Sequence, residues 1–264
     1  MSKARPSTPA TVLVILAHHD DEFFMAGVLQ TLVAAGEQLR VAYLTHGSAY
    51  GASSESRINE SNEVLTRLGI PPERVSQLGV EHDIFDSHLR LRLEDAASAL
   101  AALAADEPVK AVYVPAWEGG HPDHDCAHVL GVQLARGLAG RPPVEEVSGY
   151  NGCGAPGPLF RVMRFIPADT PVRRWPLSFA KRLALLRFIG LYRSQRRTFL
   201  GLLPGILGQL FVTGAFESRP VPAFDYGRPP HSGQLLYEKR FGLRFEDLSR
   251  SLRDLERAAA LAPH

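Results

Sequence analysis

An α/β fold, with a mostly parallel sheet covered by helices on both faces, is what this 264-residue sequence predicts. Three observations point there. Short apolar runs alternate with helix-spaced segments, as strand-helix-strand units require. The runs are apolar throughout rather than alternating, which suits strands buried on both faces. Residues rich in charge and imidazole come directly after the strands, at the sheet edge where open α/β folds bind ligands.

Taken in order, Val12 to Ala17 is a continuous β-branched run and reads as the first strand. Phe23 to Ala35 has helical apolar spacing and stops at Gly36, and Leu39 to Leu44 is the next strand. Asn59 to Leu68 is a helix that ends at Gly69, with Pro71 and Pro72 beyond it. An Ala-rich helix from Leu93 to Ala105, a strand from Val109 to Val114 and a helix opening near Pro122 repeat the pattern. After about Tyr150 the texture changes: NGCGAPGPLF is loop-like, Phe160 to Ile166 reads as a strand, and Phe179 to Arg193 as a helix. Pro204, Pro220, Pro222, Pro229 and Pro230 then break up the chain as far as a terminal amphipathic helix from Phe245 to Ala260. The expectation is one domain, 1–264, with an α/β core over 10–150 and a completing, capping region over 151–264.

Composition bounds the function. Hydrophobic residues make up 45% and charged residues 22%, an ordinary globular balance with a formal net charge of +1. Cys126 and Cys153 form neither a disulfide framework nor a CxxC pair, which favours a reduced, cytoplasmic setting and excludes a cysteine zinc site. The apolar stretch Phe199 to Phe216 is broken by Pro204, four glycines and Gln209, so it is not expected to span a membrane. The neutral total hides an asymmetry: from Arg161 to Arg197 there are ten Lys/Arg against Asp169 alone, +9, leaving −8 for the rest. That segment, with the apolar run after it, makes 161–216 a candidate for peripheral contact with the inner face of a membrane or for a phosphate-linked sugar. Nucleic acid is not expected, because aromatics are not interleaved with the basic residues.

The chemistry lies in two segments. AHHDDE, Ala17 to Glu22, comes after the first strand, and PAWEGGHPDHD, from Pro115, after the strand ending near Val114. THGS, from Thr45, falls on the same edge. His18 and Asp21 are three residues apart, as are His121 and His124, and two histidines with one carboxylate are a common catalytic zinc set that leaves room for water. Pro122 suits the first helical turn and puts His121 just outside it. Asp20 fits a general base for the zinc water, and an imidazolium at His121 fits an oxyanion partner. No GxGxxG stands after the first strand and no GxSxG occurs, which disfavours a nicotinamide cofactor and a serine nucleophile.

AHHDDE with GGHPDHD resembles the PIG-L/LmbE-like superfamily of metal-dependent N-acetylglucosamine deacetylases, whose usual signature is AHPDDE with HPDH. RINESNEVLTRLGI, with Arg57 and Glu60, and YRSQ at Tyr192 to Gln195 extend the resemblance, which is specific over the first 130 residues or so and thin afterwards. It implies a Rossmann-like fold, Zn2+ on His18, Asp21 and His124, Asp20 as general base, His121 polarising the scissile carbonyl and Asp123 orienting His121. Arg57 is implied near the sugar hydroxyls. The implied reaction removes an N-acetyl or other N-acyl group from a GlcNAc-type amino sugar in a glycoconjugate, glycolipid or secondary metabolite. His19 stands where the family usually has proline. It is read either as a tolerated loop change or as a residue that contacts substrate or perturbs Asp20 electrostatically. Two alternatives remain: another metallohydrolase such as a phosphoesterase, with His19 bridging a second metal, or a catalytically silent sugar-binding module.

Overall fold

The computed structural model describes residues 10–48, 53–156 and 159–261. Its elements run β1 (Thr11–Leu16), α1 (Glu22–Ala34), β2 (Gln38–Tyr43), α2 (Ser54–Arg67), β3 (Val75–Ser76), α3 (Leu78–Glu81), α4 (Leu93–Ala105), β4 (Val109–Pro115), α5 (Pro122–Gly137) and β5 (Val144–Val147). Then come β6 (Tyr150–Asn151), β7 (Arg161–Val162), β8 (Arg173–Pro176), α6 (Phe179–Phe188), α7 (Arg196–Leu207), β9 (Ala215–Pro220), α8 (Leu236–Phe241) and α9 (Phe245–Leu261).

Seven strands form one sheet in the order β3-β2-β1-β4-β5-β9-β8. The five from β3 to β5 are parallel, and β9 and β8 add on antiparallel. Strand order reverses between β1 and β4, so the loops leaving these two strands diverge and open a crevice at their carboxyl ends. AHHDDE leaves β1 and the GGHPDHD segment leaves β4, which brings the two motifs to opposite sides of that crevice.

Alternate β1 side chains enter two cores, which is why the run is apolar throughout. Val12, Val14 and Leu16 pack with α1, α2, α6 and α7, whereas Leu13, Ile15 and Ala17 pack with α4, α5 and α9. The C-terminal region therefore supplies the two antiparallel strands, β9 and β8, at one end of the sheet and cover for each face.

Several elements differ from expectation. The second helix starts at Ser54, five residues before Asn59, because Ser53 caps it by accepting the Ser56 N–H. The expected strand Phe160 to Ile166 shrinks to Arg161–Val162, since Met163 has φ +54 and turns the chain. The expected helix Phe179 to Arg193 stops at Phe188, and a turn carries Tyr192 inward. The apolar stretch Phe199 to Phe216 is α7, a π-type turn at Gly208–Thr213 and the start of β9, with Phe199, Leu202, Ile206, Leu210 and Phe216 in one core. Among the described residues no helix is long and apolar enough to cross a membrane.

Candidate metal centre and active site

The crevice is a cleft of about 1060 Å3. His18, Asp20, Asp21, Arg57, His121 and His124 all line it. Asp21 sits at the head of α1, where its Oδ2 accepts the His18 N–H at 2.8 Å and closes the loop back on the strand end. On the other side Pro122 opens α5, and His121 caps it: Nδ1 accepts the Asp123 N–H at 3.2 Å. Gly120 is required there, since a Cβ would lie 1.9 Å from the Tyr150 carbonyl oxygen.

These two loop ends bring three donor atoms together. His18 Nδ1 is 3.2 Å from His124 Nε2, which is 2.9 Å from Asp21 Oδ1. One ligand atom from each of the three residues lies within 4.8 Å of the others, and all three residues are buried. Two imidazole nitrogens and an acceptor-only carboxylate facing one point need a proton or a cation between them. The protonation balance reflects this. Burial opposes charge at all three, yet His124 and His18 hold Asp21 well below the usual carboxylate range, while Asp123 and Asp21 raise His18 and Asp21 raises His124. A divalent cation replaces that shared proton, so the donor set fits a metal that prefers nitrogen and oxygen ligands.

Asp123 departs from expectation. Its carboxylate is 4.0 Å from His121 Nδ1, too far for a hydrogen bond, and instead lies 3.0 Å from His18 Nε2. With Nε2–H donating to Asp123, the Nδ1 lone pair of His18 is left for the cation. Asp123 thus orients His18, and only its backbone N–H orients His121.

His121 also differs in charge. Burial and the neighbouring His18 and His124 push its pKa well down, so the expected imidazolium is replaced by a neutral ring. Because Nδ1 accepts from the Asp123 N–H, the proton is on Nε2, which leaves a hydrogen-bond donor.

Asp20 lies between the two halves with φ +133, a conformation that disfavours side chains. Its N–H donates to Glu22 Oε2 at 3.0 Å, and Glu22 also accepts from the Tyr43 and Tyr192 hydroxyls, both at 2.8 Å. Burial pushes Asp20 up to about 7, against the lowering effect of Arg57, 3.4 Å away. Arg57 is largely committed: Nη1 donates to Asp86 at 2.7 Å, and Nε and Nη2 donate to the His19 carbonyl at 3.3 and 2.8 Å. One Nη1–H remains for a ligand.

His19 is not in the cleft. Its ring stacks on Tyr43 at 4.3 Å and its Nε2 lies 2.6 Å from Gln77 Oε1, with the residue buried, so a substrate contact or a bridge to a second metal through this ring is not built. Burial lowers its pKa to about 4.

Sequence reading missed four polar partners: Glu22, Asp86, Glu118 and Gln77. Glu22 stood in the quoted motif as the residue after the ligand. Asp86 and Gln77 lie in segments without a motif, and nothing local marks them. Glu118 accepts from Ser148, Asn151 and the N–H groups of Gly149 and Tyr150, fixing the segment whose Tyr150 ring lies 5.5 Å from that of His124.

Residues 13–135 match the family model PIG-L, described as GlcNAc-PI de-N-acetylase. No curated protein matches the chain. Among solved structures, a triple mutant of a deacetylase of teicoplanin biosynthesis aligns with TM-score 0.62 at 16% identity, covering 82% of this chain and 99% of that one. The teicoplanin deacetylase Orf2 in its zinc-inhibited form aligns equally well at 15% identity. N,N'-diacetylchitobiose deacetylase from Pyrococcus horikoshii aligns with TM-score 0.54 at 18% identity, covering 80% of this chain and 82% of that one. GalB, a 4-carboxy-2-hydroxymuconate hydratase from Pseudomonas putida, aligns with TM-score 0.50 at 15% identity, covering 82% and 97%. These likenesses show a shared fold, and one that also carries a hydratase. Over residues 13–135, the stretch that supplies His18, Asp20, Asp21, His121 and His124, the chain matches the PIG-L family.

Proposed function

We propose that the protein is a zinc-dependent amidohydrolase that removes an N-acetyl group from the 2-amino group of a GlcNAc-type sugar. The observation that carries the reading is the convergence of His18 Nδ1, His124 Nε2 and an Asp21 oxygen in the floor of one cleft, with Asp20 and the Nε2–H of His121 beside them. The family match over the same residues and the deacetylases among the structural neighbours support it.

His18, Asp21 and His124 would hold Zn2+, which supplies Lewis-acid polarisation and a more acidic bound water. Asp20 takes the proton of the water that adds to the amide carbon. His121 donates from Nε2 to the carbonyl oxygen as charge builds there. When the C–N bond breaks, the proton held by Asp20 passes to the departing nitrogen, which gives acetate and the free amine. The remaining Nη1–H of Arg57 is assigned to a sugar hydroxyl. Residues 10–150 carry the chemistry, 151–264 complete the sheet and the cleft wall, and we take them as one unit. Neither cysteine is paired, and an intracellular setting belongs to the same proposal.

Acetate release from a panel of N-acetyl amino sugars, with and without chelator, tests the reading. Chelator-sensitive release that Asp20→Asn abolishes is the expected result; no release from any member, with zinc bound, sinks it. The phosphoesterase alternative loses one candidate for a second-metal ligand, because His19 faces Gln77.

A further inference from the structure

The floor of the cleft is accounted for, but its rim is not. Arg193, Arg196, Arg197 and Arg240 line the same cleft as His18 and Asp21. All four are exposed, and among the described residues none has a carboxylate partner. Arg240 stacks over the Phe160 ring, whose centroid is 4.6 Å from its Cζ. Other exposed arginines of this chain are satisfied in place, such as Arg67 by Glu63 and Arg228 by Asp225. The acids of the cleft cannot serve the rim, because Asp20, Asp21 and Asp86 are engaged at the floor with Arg57, His124 and His18.

The backbone on either side of Arg193 is held. Glu60 accepts from the Ser194 N–H at 2.9 Å and its hydroxyl at 2.6 Å, and Tyr192 is tied to Glu22. The turn leading into α7 is thus fixed on both sides of Arg193, while the guanidinium groups stay free. Like charges gathered around one opening repel each other, and an anion among them relieves that repulsion. A cleft of about 1060 Å3 is also at the upper end of small-molecule sites, with room beyond the sugar at its floor. None of the four arginines lies within residues 13–135, so the family match carries no information about them.

We propose that this rim is a phosphate subsite: the amino sugar whose acetyl group reaches the metal carries a phosphate or diphosphate ester, gripped by Arg193, Arg196, Arg197 and Arg240. Guanidinium groups remain charged at any working pH and match phosphate oxygens two at a time, and a phosphate offers enough oxygens to satisfy several of them together. The proposal rests on the deacetylase reading for which end of the ligand points inward.

The test is calorimetric titration of the holoprotein in an Asp20→Asn background, which holds the ligand without turnover. The ligands are N-acetylglucosamine 1-phosphate, UDP-N-acetylglucosamine and neutral methyl N-acetylglucosaminide. The phosphorylated forms are expected to bind at least tenfold tighter than the neutral one and to weaken with salt. Arg196→Gln/Arg197→Gln, and separately Arg193→Gln/Arg240→Gln, should shrink that ratio; any contact of phosphate with the metal is common to all the proteins and cancels. A further arm presents an N-acetylglucosaminyl phospholipid in phosphatidylcholine vesicles, and tighter binding there than to the soluble diphosphate assigns a lipid carrier. Equal binding of neutral and phosphorylated sugars, or equal loss of both in the variants, overturns the subsite. Phosphate-dependent binding with no acetate release in the wild-type protein would instead overturn the deacetylase reading and leave the subsite standing.

Discussion

Asp123 Oδ2 lies 3.0 Å from His18 Nε2, and the same carboxylate accepts the backbone N–H groups of Ser87 at 2.5 Å and Leu89 at 3.2 Å. Two fixed donors hold the acid so that it can hold the imidazole. Partners of this kind typically contribute about 10- to 100-fold to metal affinity. Asp123→Asn is therefore expected to weaken zinc binding by about that factor in competition with a chromophoric chelator. Metal analysis of wild type should give one ion per chain, because the second ligand group, His18, His121 and Asp123, shares His18 and has its carboxylate already engaged. Unchanged zinc affinity in Asp123→Asn would return Asp123 to the role of orienting His121.

Asp20 acts as a base only when ionised. Its pKa is pushed up to about 7 by burial, with Arg57 working in the opposite direction, so kcat/KM should fall as pH drops below about 7. Removing the guanidinium with Arg57→Gln leaves burial unopposed and should move that acid limb to higher pH. Asp20→Asn should keep its zinc and lose about 10²- to 10⁴-fold in turnover. A limb that stays in place in Arg57→Gln would mean that another group controls it.

How much of this was readable in sequence depends on the range of the interaction. β1 and β4 announce themselves because strands buried on both faces are apolar at every position, and the ligand-bearing loops leave them directly. Arg57 with Glu60 and YRSQ were readable as motifs but not as a contact; their meaning is that Glu60 clamps Ser194, 134 residues away. The side to which His19 points is set by the turn at Asp20, whose φ of +133 no local pattern signals. The role of Asp123 depends on the loop at Ser87 and Leu89, a tertiary meeting without a sequence mark. Strand β8 is mostly exposed and contains two arginines and a proline, so it lacks the apolar signature that identifies the central strands.

His19 and Gly47 meet beneath the turn at Asp20. A Cβ on Gly47 would lie 2.7 Å from His19 Nδ1, and Gly47 also has φ +76. Gly47→Ala therefore carries two costs, a clash and a backbone strain, of about 1–3 kcal/mol each. His19→Ala loses the Tyr43 stack and the Gln77 hydrogen bond but vacates the space. Chemical denaturation of both single variants and the double variant should show the double to be less destabilised than the sum of the singles. Strict additivity would mean that the ring yields freely and does not pack as described.

His128 gives the fold an acid-sensitive point away from the metal ligands. It is fully buried, with Nδ1–H donating to the Pro115 carbonyl at 2.9 Å and Nε2 3.0 Å from the Tyr226 hydroxyl. Burial, aided by Arg219, lowers its pKa from 6.5 to about 4, although Glu146 lies 3.4 Å away. A depressed histidine favours folding above its unfolded value, so this contribution is intact above pH 6.5 and is lost as pH falls toward 4, up to roughly 3 kcal/mol. His128→Asn keeps a donor for Pro115 and cannot titrate. Denaturation midpoints measured from pH 7 to 4 should therefore converge, the wild type losing its advantage over the variant as acid is added. Glu146, pushed up to about 7 by burial, titrates in both proteins, so the difference between them isolates the imidazole. A constant difference across that range would mean that His128 takes up its proton at the same pH in the fold as in the unfolded chain.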